Sequence, residues 1–560
     1  MNRGVGFLLF AVLRVFVFAS DIPAGNSKNL NEFLRDHTKE HRERIEKNLE
    51  RPFVPYDEIY RPTPVPPEGK AESEACLPIH TITINGSSIL SDKELRQIKK
   101  QYEDKCLTVP MIEELLRKIT AAYHAKGYIT SRASLKVPQE STKDGILEII
   151  ITEGWIEQFH FNENSFRDRV QGSTVLRHLV GKNLNIRHID HAMEQINRLS
   201  SQHATMQIEP GGTIGSSTVV VKTDPKDTVL FSLNYRDTGK DLEDGGVWTP
   251  SLLIENPLAL NDQLRASYSR NEYDNTQKHE RAKALSYTFP YGFWLFDFSY
   301  SKSEYLTTIE GSNASFRSWG FAETDSLNAN RLLFRNQKQK ISFDAAVEKQ
   351  KNKSYINQTL VGVSSHAVTN TKAGFNYLYY LDSGVLSASI HTKRGVGWLS
   401  ADDVPADIDK DAPNKRFRLY GGSLMFLKYF QAWQLSINFL AQHSEDELLT
   451  SEQFSSIKGI SEDNGQSLSV KAGFSPFSKN RWLSPFYMDF GYSFARISSV
   501  ANDRIRDSAS VFSASLQYNH PSFSCQANIE FDGKYPNHIG YSKNDYPHQS
   551  ISCTVNFGFI

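Results

Sequence analysis

The sequence predicts two small α+β modules followed by an all-β, 16-stranded transmembrane barrel. Three observations predict it. A strand, helix, helix, strand, strand order recurs between Pro78 and Asp224. After Pro225, roughly 16 segments of about ten residues alternate apolar and polar side chains, the period of a strand whose two faces meet different surroundings. The connections between those segments alternate between short and long.

The chain has 560 residues, 23% charged and 39% hydrophobic, with a formal net charge of -1, so it offers nucleic acid no general electrostatic handle. Its four cysteines, Cys76, Cys106, Cys525 and Cys553, lie too far apart for a zinc-ligand spacing. The mean hydropathy is -0.46, and beyond the extreme N-terminus no apolar run reaches the roughly 18 residues of a membrane helix. With 34 Phe and 24 Tyr, 12% of the chain is aromatic, high for so polar a sequence.

Residues 1-20 open with Arg3, run through a short apolar stretch and end in small residues, the layout of a secretory signal peptide. Export places the cysteines in an oxidising space, where Cys76 and Cys106 are expected to form a disulfide contributing about 3-4 kcal/mol. Residues 21-51 contain a helix rich in i,i+4 pairs such as Glu40/Arg44, with a thin apolar stripe of Leu30, Phe33, Leu34, Ile45 and Leu49. Water is expected on most of its sides. Residues 52-75 form a linker, with six prolines between Pro52 and Gly69 that favour an extended, semi-rigid chain.

The first module spans 76-154. It starts with PIHTITING, continues with a helix capped by Ser91 with Glu94 three residues on, then a second helix from about Thr108 to Gly127. It closes with ITSRASLKV and GILEIIITEG. The second module, 155-225, repeats the order from IEQFHFN to SSTVVVKTD.

The barrel is assigned to 226-560. In VLFSLNYR, Val229, Phe231, Leu233 and Tyr235 face one way and Ser232, Asn234 and Arg236 the other; FWLFDFSYS sets Trp294, Phe296, Phe298 and Tyr300 against Asp297 and Ser299. A soluble sandwich alternates too, so the connectors discriminate. NPLALND, PYG, LDSG, QAW and NHPS are short, whereas RDTGKDLEDGG, YLTTIEGSNASFRS, the regions about 394-414 and 444-465, and DGKYPNHIGYSKNDYPHQ are long and polar. Tight turns at one rim and long loops at the other belong to an outer-membrane barrel.

The run from Cys76 through GYITSR to Gln139 resembles the first POTRA domain of the outer-membrane transporters of two-partner secretion, the TpsB or hemolysin secretion/activation group of ShlB/FhaC/HecB type. INRLSSQHATMQIEPGGTIGSS resembles that family's second POTRA domain. The resemblance covers the mature chain in order and implies an outer-membrane pore, its POTRA domains in the periplasm of a Gram-negative bacterium. Such a pore passes one large partner exoprotein of TpsA type to the cell surface without ATP. The helix within 21-51 then corresponds to the family's plug helix. The family's loop signature, roughly Val-Arg-Gly-Phe/Tyr, falls on Ile457, Lys458, Gly459 and Ile460, with Lys replacing Arg. Its strand partner, Asp-x-Gly, falls on Asp489 and Gly491, and alternation independently points Asp489 into the lumen, opposite Phe486, Met488, Phe490, Tyr492 and Phe494. Lys cannot offer the bidentate fork of Arg.

The other expected partners are outer-membrane lipids, the barrel assembly machinery and periplasmic chaperones during biogenesis. No nucleotide loop, G-x-S-x-G or H-E-x-x-H is present. The sequence therefore predicts no catalytic residue, metal or cofactor, and no enzyme; His391, Asp344 and Glu348 read as ordinary inward polar groups. The alternative reading is a BamA-type barrel-assembly insertase. Cys525 and Cys553 fall on the lipid face of the last hairpin, either paired or as two separate apolar thiols.

Overall fold

The structure, a computed structural model, describes residues 76-559 apart from 238-245, 273-276, 311-313, 404-412, 431-432, 458-459, 475-485, 501-505, 521-522 and 535-547. The expected signal segment, plug helix and Pro-rich linker within residues 1-75 lie outside the described residues.

The first module opens with a two-stranded ribbon, Leu77–Ile79 against Lys105–Leu107, and Cys76 is bonded to Cys106 beside it. Its three-stranded sheet runs Thr81–Asn85, Ile146–Thr152, Arg132–Leu135, the first pair parallel and the second antiparallel. Two helices cover one face. Asp92–Lys99 starts at Ser91, whose hydroxyl accepts from the Glu94 N–H while the Glu94 carboxylate accepts from the Ser91 N–H. Val109–Ala125 follows, and Gly127 then takes a left-handed φ of 95°. The helices bury Leu115, Ile119 and Tyr123 against Ile82, Leu147 and Ile149.

The second module repeats this plan. Trp155–Phe161 and Thr205–Pro210 flank Ser216–Lys222, parallel and antiparallel respectively, beneath the helices Phe166–Val175 and Ile186–Asn197. The sheet orders match, so the sequence repeat is a repeat of topology.

Sixteen antiparallel spanning strands follow and close into a barrel, the first, Val229–Asp237, pairing with the last, His548–Phe559. Closure is what lipid demands, because an open sheet edge would leave N–H and C=O groups without water or partner. Serine pairs such as Ser232/Ser251, Ser299/Ser326 and Ser389/Ser423 join across strands on the inner face. Outward lie Phe375, Phe490, Phe512 and Ile390, each at least half exposed in the isolated chain. In water such a band would be an aggregation surface; in a bilayer it is the solvent contact.

The last hairpin settles the second cysteine pair. Cys525 on Phe523–Lys534 is directly opposite Cys553 on His548–Phe559, and the two are bonded. Three neighbouring strands, Trp294–Glu310, Ser315–Arg335 and Gln339–Ile356, run to 17, 21 and 18 residues. About ten residues suffice to cross, so these strands continue well past the membrane on the long-loop side.

Candidate functional site

The lumen is occupied by the protein's own loop. Between Trp433–Ser444 and Asn464–Phe474 the chain turns inward and forms a small hairpin, Phe454–Ile457 with Ile460–Glu462, separate from the barrel sheet. Phe454 packs on Leu440, Ala495, Ile497, Ala509 and Val511, an apolar patch on an otherwise polar wall. Gly465 makes the seat: a Cβ there would collide with the Phe454 ring. At the base of the loop, buried Asp463 accepts from the N–H groups of Leu448 at 2.7 Å and Val500 at 2.8 Å.

Just before the hairpin, Glu452 reaches the inner wall two to four strands away from Trp433–Ser444, the strand that leads into the loop. Lys393, from the inner face of Gly384–Val396, lies 2.7 Å from Glu452 and 3.1 Å from Glu348 of Gln339–Ile356. Asn370 also donates to Glu452 at 2.9 Å, and Gln442 donates to its backbone carbonyl at 2.9 Å. A lysine between two carboxylates in a shielded lumen is a strong, directional anchor; a single charge-assisted hydrogen bond of this kind contributes about 1.5-3 kcal/mol. Burying a Phe side chain adds about 2 kcal/mol. Neither Glu452 nor Lys393 stands out in the sequence, since both look like routine polar residues of a loop and a lumen face.

Of the residues expected to form the loop lock, Ile457 and Ile460 pair across the hairpin, while Lys458 and Gly459 lie outside the described residues. Asp489 points inward and is buried, accepting from Ser515 and, at 3.1 Å, from Gln517. Two residues on, a Cβ at Gly491 would come within 2.6 Å of Ser513 Oγ and 3.1 Å of Lys471 Cγ. The glycine leaves room for the Lys471 stem and the Ser513 hydroxyl on the wall beside Asp489.

At the other end, the second module is docked on the short-turn rim. Glu194 lies 2.6 Å from Arg335 and 2.7 Å from Lys340, where two strands meet the turn between them. Burial alone would raise its carboxyl, but Lys340 and Arg335 outweigh burial and hold it at about 2. Asn261, fully buried in the first turn, donates to the Gln171 carbonyl and to Thr174 Oγ1. Glu255 accepts from the backbone N–H groups of Ser200 and Ser201. His178, His188 and His191 surround Phe293 of the second turn at ring separations of 4.5, 5.2 and 5.8 Å.

The comparisons with known proteins bear on this arrangement. The ShlB-type POTRA family matches residues 77-154, a second POTRA family 155-210, and the haemolysin secretion/activation protein family ShlB/FhaC/HecB 215-463. The chain belongs to the ShlB/FhaC/HecB family. Its curated relatives include the outer membrane transporter CdiB of Escherichia coli, 29% identical over 430 residues that span 74% of this chain and 72% of that protein. The hemolysin transporter protein HpmB of Proteus mirabilis is 26% identical, over 74% of this chain and 73% of its own length. The solved structure of CdiB from Escherichia coli superposes with a TM-score of 0.82 at 26% identity, over 96% of this chain and 100% of that one.

The protein is thus an outer-membrane transporter of two-partner secretion, with its two POTRA domains in the periplasm and a TpsA-type exoprotein as the class of partner. The relatives are transporters rather than enzymes or assembly factors. In this transporter the loop occupies the lumen, and the second POTRA domain is docked at the short-turn mouth.

Two expectations follow. Substituting Glu452→Gln weakens the loop anchor by about 2 kcal/mol, so single-channel recordings in planar bilayers show more frequent opening than wild type. Lys393→Met, which removes the ion-pair partner that Glu348 and Glu452 share, opens more often still. Conductance unchanged in both variants would remove the anchor role.

The joint is predicted to weaken in acid. Burial, reinforced by Lys182 and His188, lowers His178 to about 4, and burial with Lys340 lowers His191 to about 3. The docked state thus resists protonation of both, so docking is unaffected above the ordinary His value of 6.5 and is lost progressively as pH falls from there toward 4. Glu194, held at about 2, contributes fully above about 4.5 and loses its contribution below that. Trypsin cleavage after Lys222 and Lys226 should accelerate between pH 6.5 and 5, and His178→Phe with His191→Phe should flatten that rise.

Proposed function

We propose that this transporter exports one large exoprotein through its own lumen, driven by folding of the cargo outside the cell, with no nucleotide. The observation that carries this reading is the hairpin seated in the lumen on Glu452 and Phe454, a built-in obstruction held by a few contacts that can be exchanged. The helix within 21-51 acts with it as a second plug. At about 25 residues and 1.5 Å each it is roughly 38 Å long, enough to cross the lumen, and the prolines of 52-75 give it reach. Residues 1-20 direct export, and chaperones and the barrel assembly machinery handle the chain before insertion. Lys458 meets Asp489 as the family's loop lock, in a looser form than the Arg version.

Cargo is captured in the periplasm by strand addition to a POTRA sheet. The two three-stranded sheets have four edges, and three carry competing contacts. Lys99 and Glu103 take up the backbone of Ile82 on Thr81–Asn85. Thr120 accepts from the Ala133 N–H on Arg132–Leu135. Asn183 bridges to Trp155 at the start of Trp155–Phe161. Thr205–Pro210, which pairs on one side only, is the capture strand.

A strain lacking this gene should lose one exoprotein from its surface and medium while its other barrel proteins assemble normally; general loss of barrel proteins would favour the insertase reading instead. Removing residues 26-51 should raise pore conductance in bilayers. Wild-type conductance in that variant would end the plug assignment.

A further inference from the structure

The outward face of the barrel is not uniformly apolar. On Gln339–Ile356, Phe343, Ala345 and Val347 face the lipid, and the same face continues with Lys349, Lys351 and Lys353. Lys349 lies about ten residues along from the periplasmic turn, about 33 Å of strand, or roughly 24 Å of height at barrel tilt. That places it at the outer edge of an apolar band about 25 Å tall.

The register extends the lysines into a patch. Lys351 is opposite Glu323, which is opposite Lys302, which is opposite Lys283. The next row outward carries Lys353, Phe321, Glu304 and Arg281. Aromatic rings hold the cations over the surface: Lys302 and Lys351 lie 5.3 and 5.5 Å from the Phe321 ring, and Lys283 lies 6.0 Å from that of Tyr300. Three carboxylates share this face. Glu323 accepts from the Tyr300 hydroxyl at 2.9 Å, Glu304 lies 3.4 Å from Lys302, and Asp325 stands opposite Lys349 on the neighbouring strand, which leaves Lys351 and Lys353 as the principal phosphate contacts. Across the barrel, the outward faces of Trp433–Ser444, Asn464–Phe474 and Phe486–Ser498 carry one cation, Arg496, and no lysine among the described residues, and present Phe439, Leu468 and Phe490 instead.

We propose that this sector binds the phosphorylated sugar head group of the glycolipid of the outer leaflet, with Lys351 and Lys353 as the principal contacts to its phosphates. The patch matches such an amphiphile in both parts. Val347, Leu327 and Phe343 offer an apolar wall for acyl chains, and the lysines stand where the phosphates begin. Their stems pack along the strand while the ammonium groups reach the polar layer. One-sided binding would orient and stiffen the three long strands that rise from this sector.

The test uses the purified full chain in detergent, titrated with hexa-acylated, bisphosphorylated lipid A and followed by native mass spectrometry. Wild type is expected to retain lipid A, and the triple variant Lys349→Gln, Lys351→Gln, Lys353→Gln to bind it about tenfold more weakly. The triple Lys→Arg variant should bind as wild type does, and dephosphorylated lipid A should bind wild type no better than it binds the Gln variant. Wild-type affinity in the Gln variant, or equal binding of phosphorylated and dephosphorylated lipid by wild type, overturns the proposal. Heat-modifiable mobility on gels confirms the folded barrel. Should the triple variant lose it, Lys351→Gln alone is expected to bind about threefold more weakly, and undiminished binding by that variant overturns the proposal.

Discussion

Everything in this protein depends on the ring of backbone hydrogen bonds that closes when Val229–Asp237 pairs with His548–Phe559. In lipid an unpaired N–H or C=O has no water to turn to, so a sheet can cross the membrane only by closing on itself. Once closed, its strands are forced into two environments, lipid and lumen, and period-two alternation becomes obligatory. The same closure creates the lumen that makes transport conceivable and also creates a hole that the cell must keep shut.

The protein shuts it with groups that can let go. Lys393 serves two carboxylates, one fixed on the wall and one on the loop. When Glu452 withdraws, Lys393 keeps Glu348, so no charge is stranded in the lumen and Glu452 passes into water. An anchor made of one loop carboxylate and one wall lysine would leave the lysine bare on opening, a costly state. Phe454 adds a small apolar seat, which stabilises the inward position by about 2 kcal/mol. The joint at the opposite rim is of another kind. Glu194, Asn261, Glu255 and the histidines around Phe293 tie the second POTRA domain to the first three periplasmic turns. That fixes the second POTRA domain at the short-turn mouth of the barrel.

Much of this was legible in the sequence because it is local. The faces of FWLFDFSYS and FYMDFGYSF follow from alternation alone, and the same alternation assigns Asp489 to the lumen. The capping box at Ser91 and Glu94, the glycine stop at Gly127 and the repeated module order are likewise short-range signals. The anchor was not legible. Glu452 and Lys393 are 59 residues apart and Lys340 is 146 residues from Glu194, and no local pattern distinguishes these residues from other polar ones. Gly465 and Gly491 belong with them, because what demands a glycine there is a side chain from another strand.

By itself the sequence determined which residues meet lipid and which meet water, because a strand's period converts order directly into side. It also determined the class of machine through the order of modules and barrel. Only the tertiary structure decided register, and with it the bond between Cys525 and Cys553, which is possible solely because the two stand directly opposite each other. It alone decided that the loop between Ser444 and Asn464 turns inward, since that choice rests on contacts with distant walls that no stretch of chain contains.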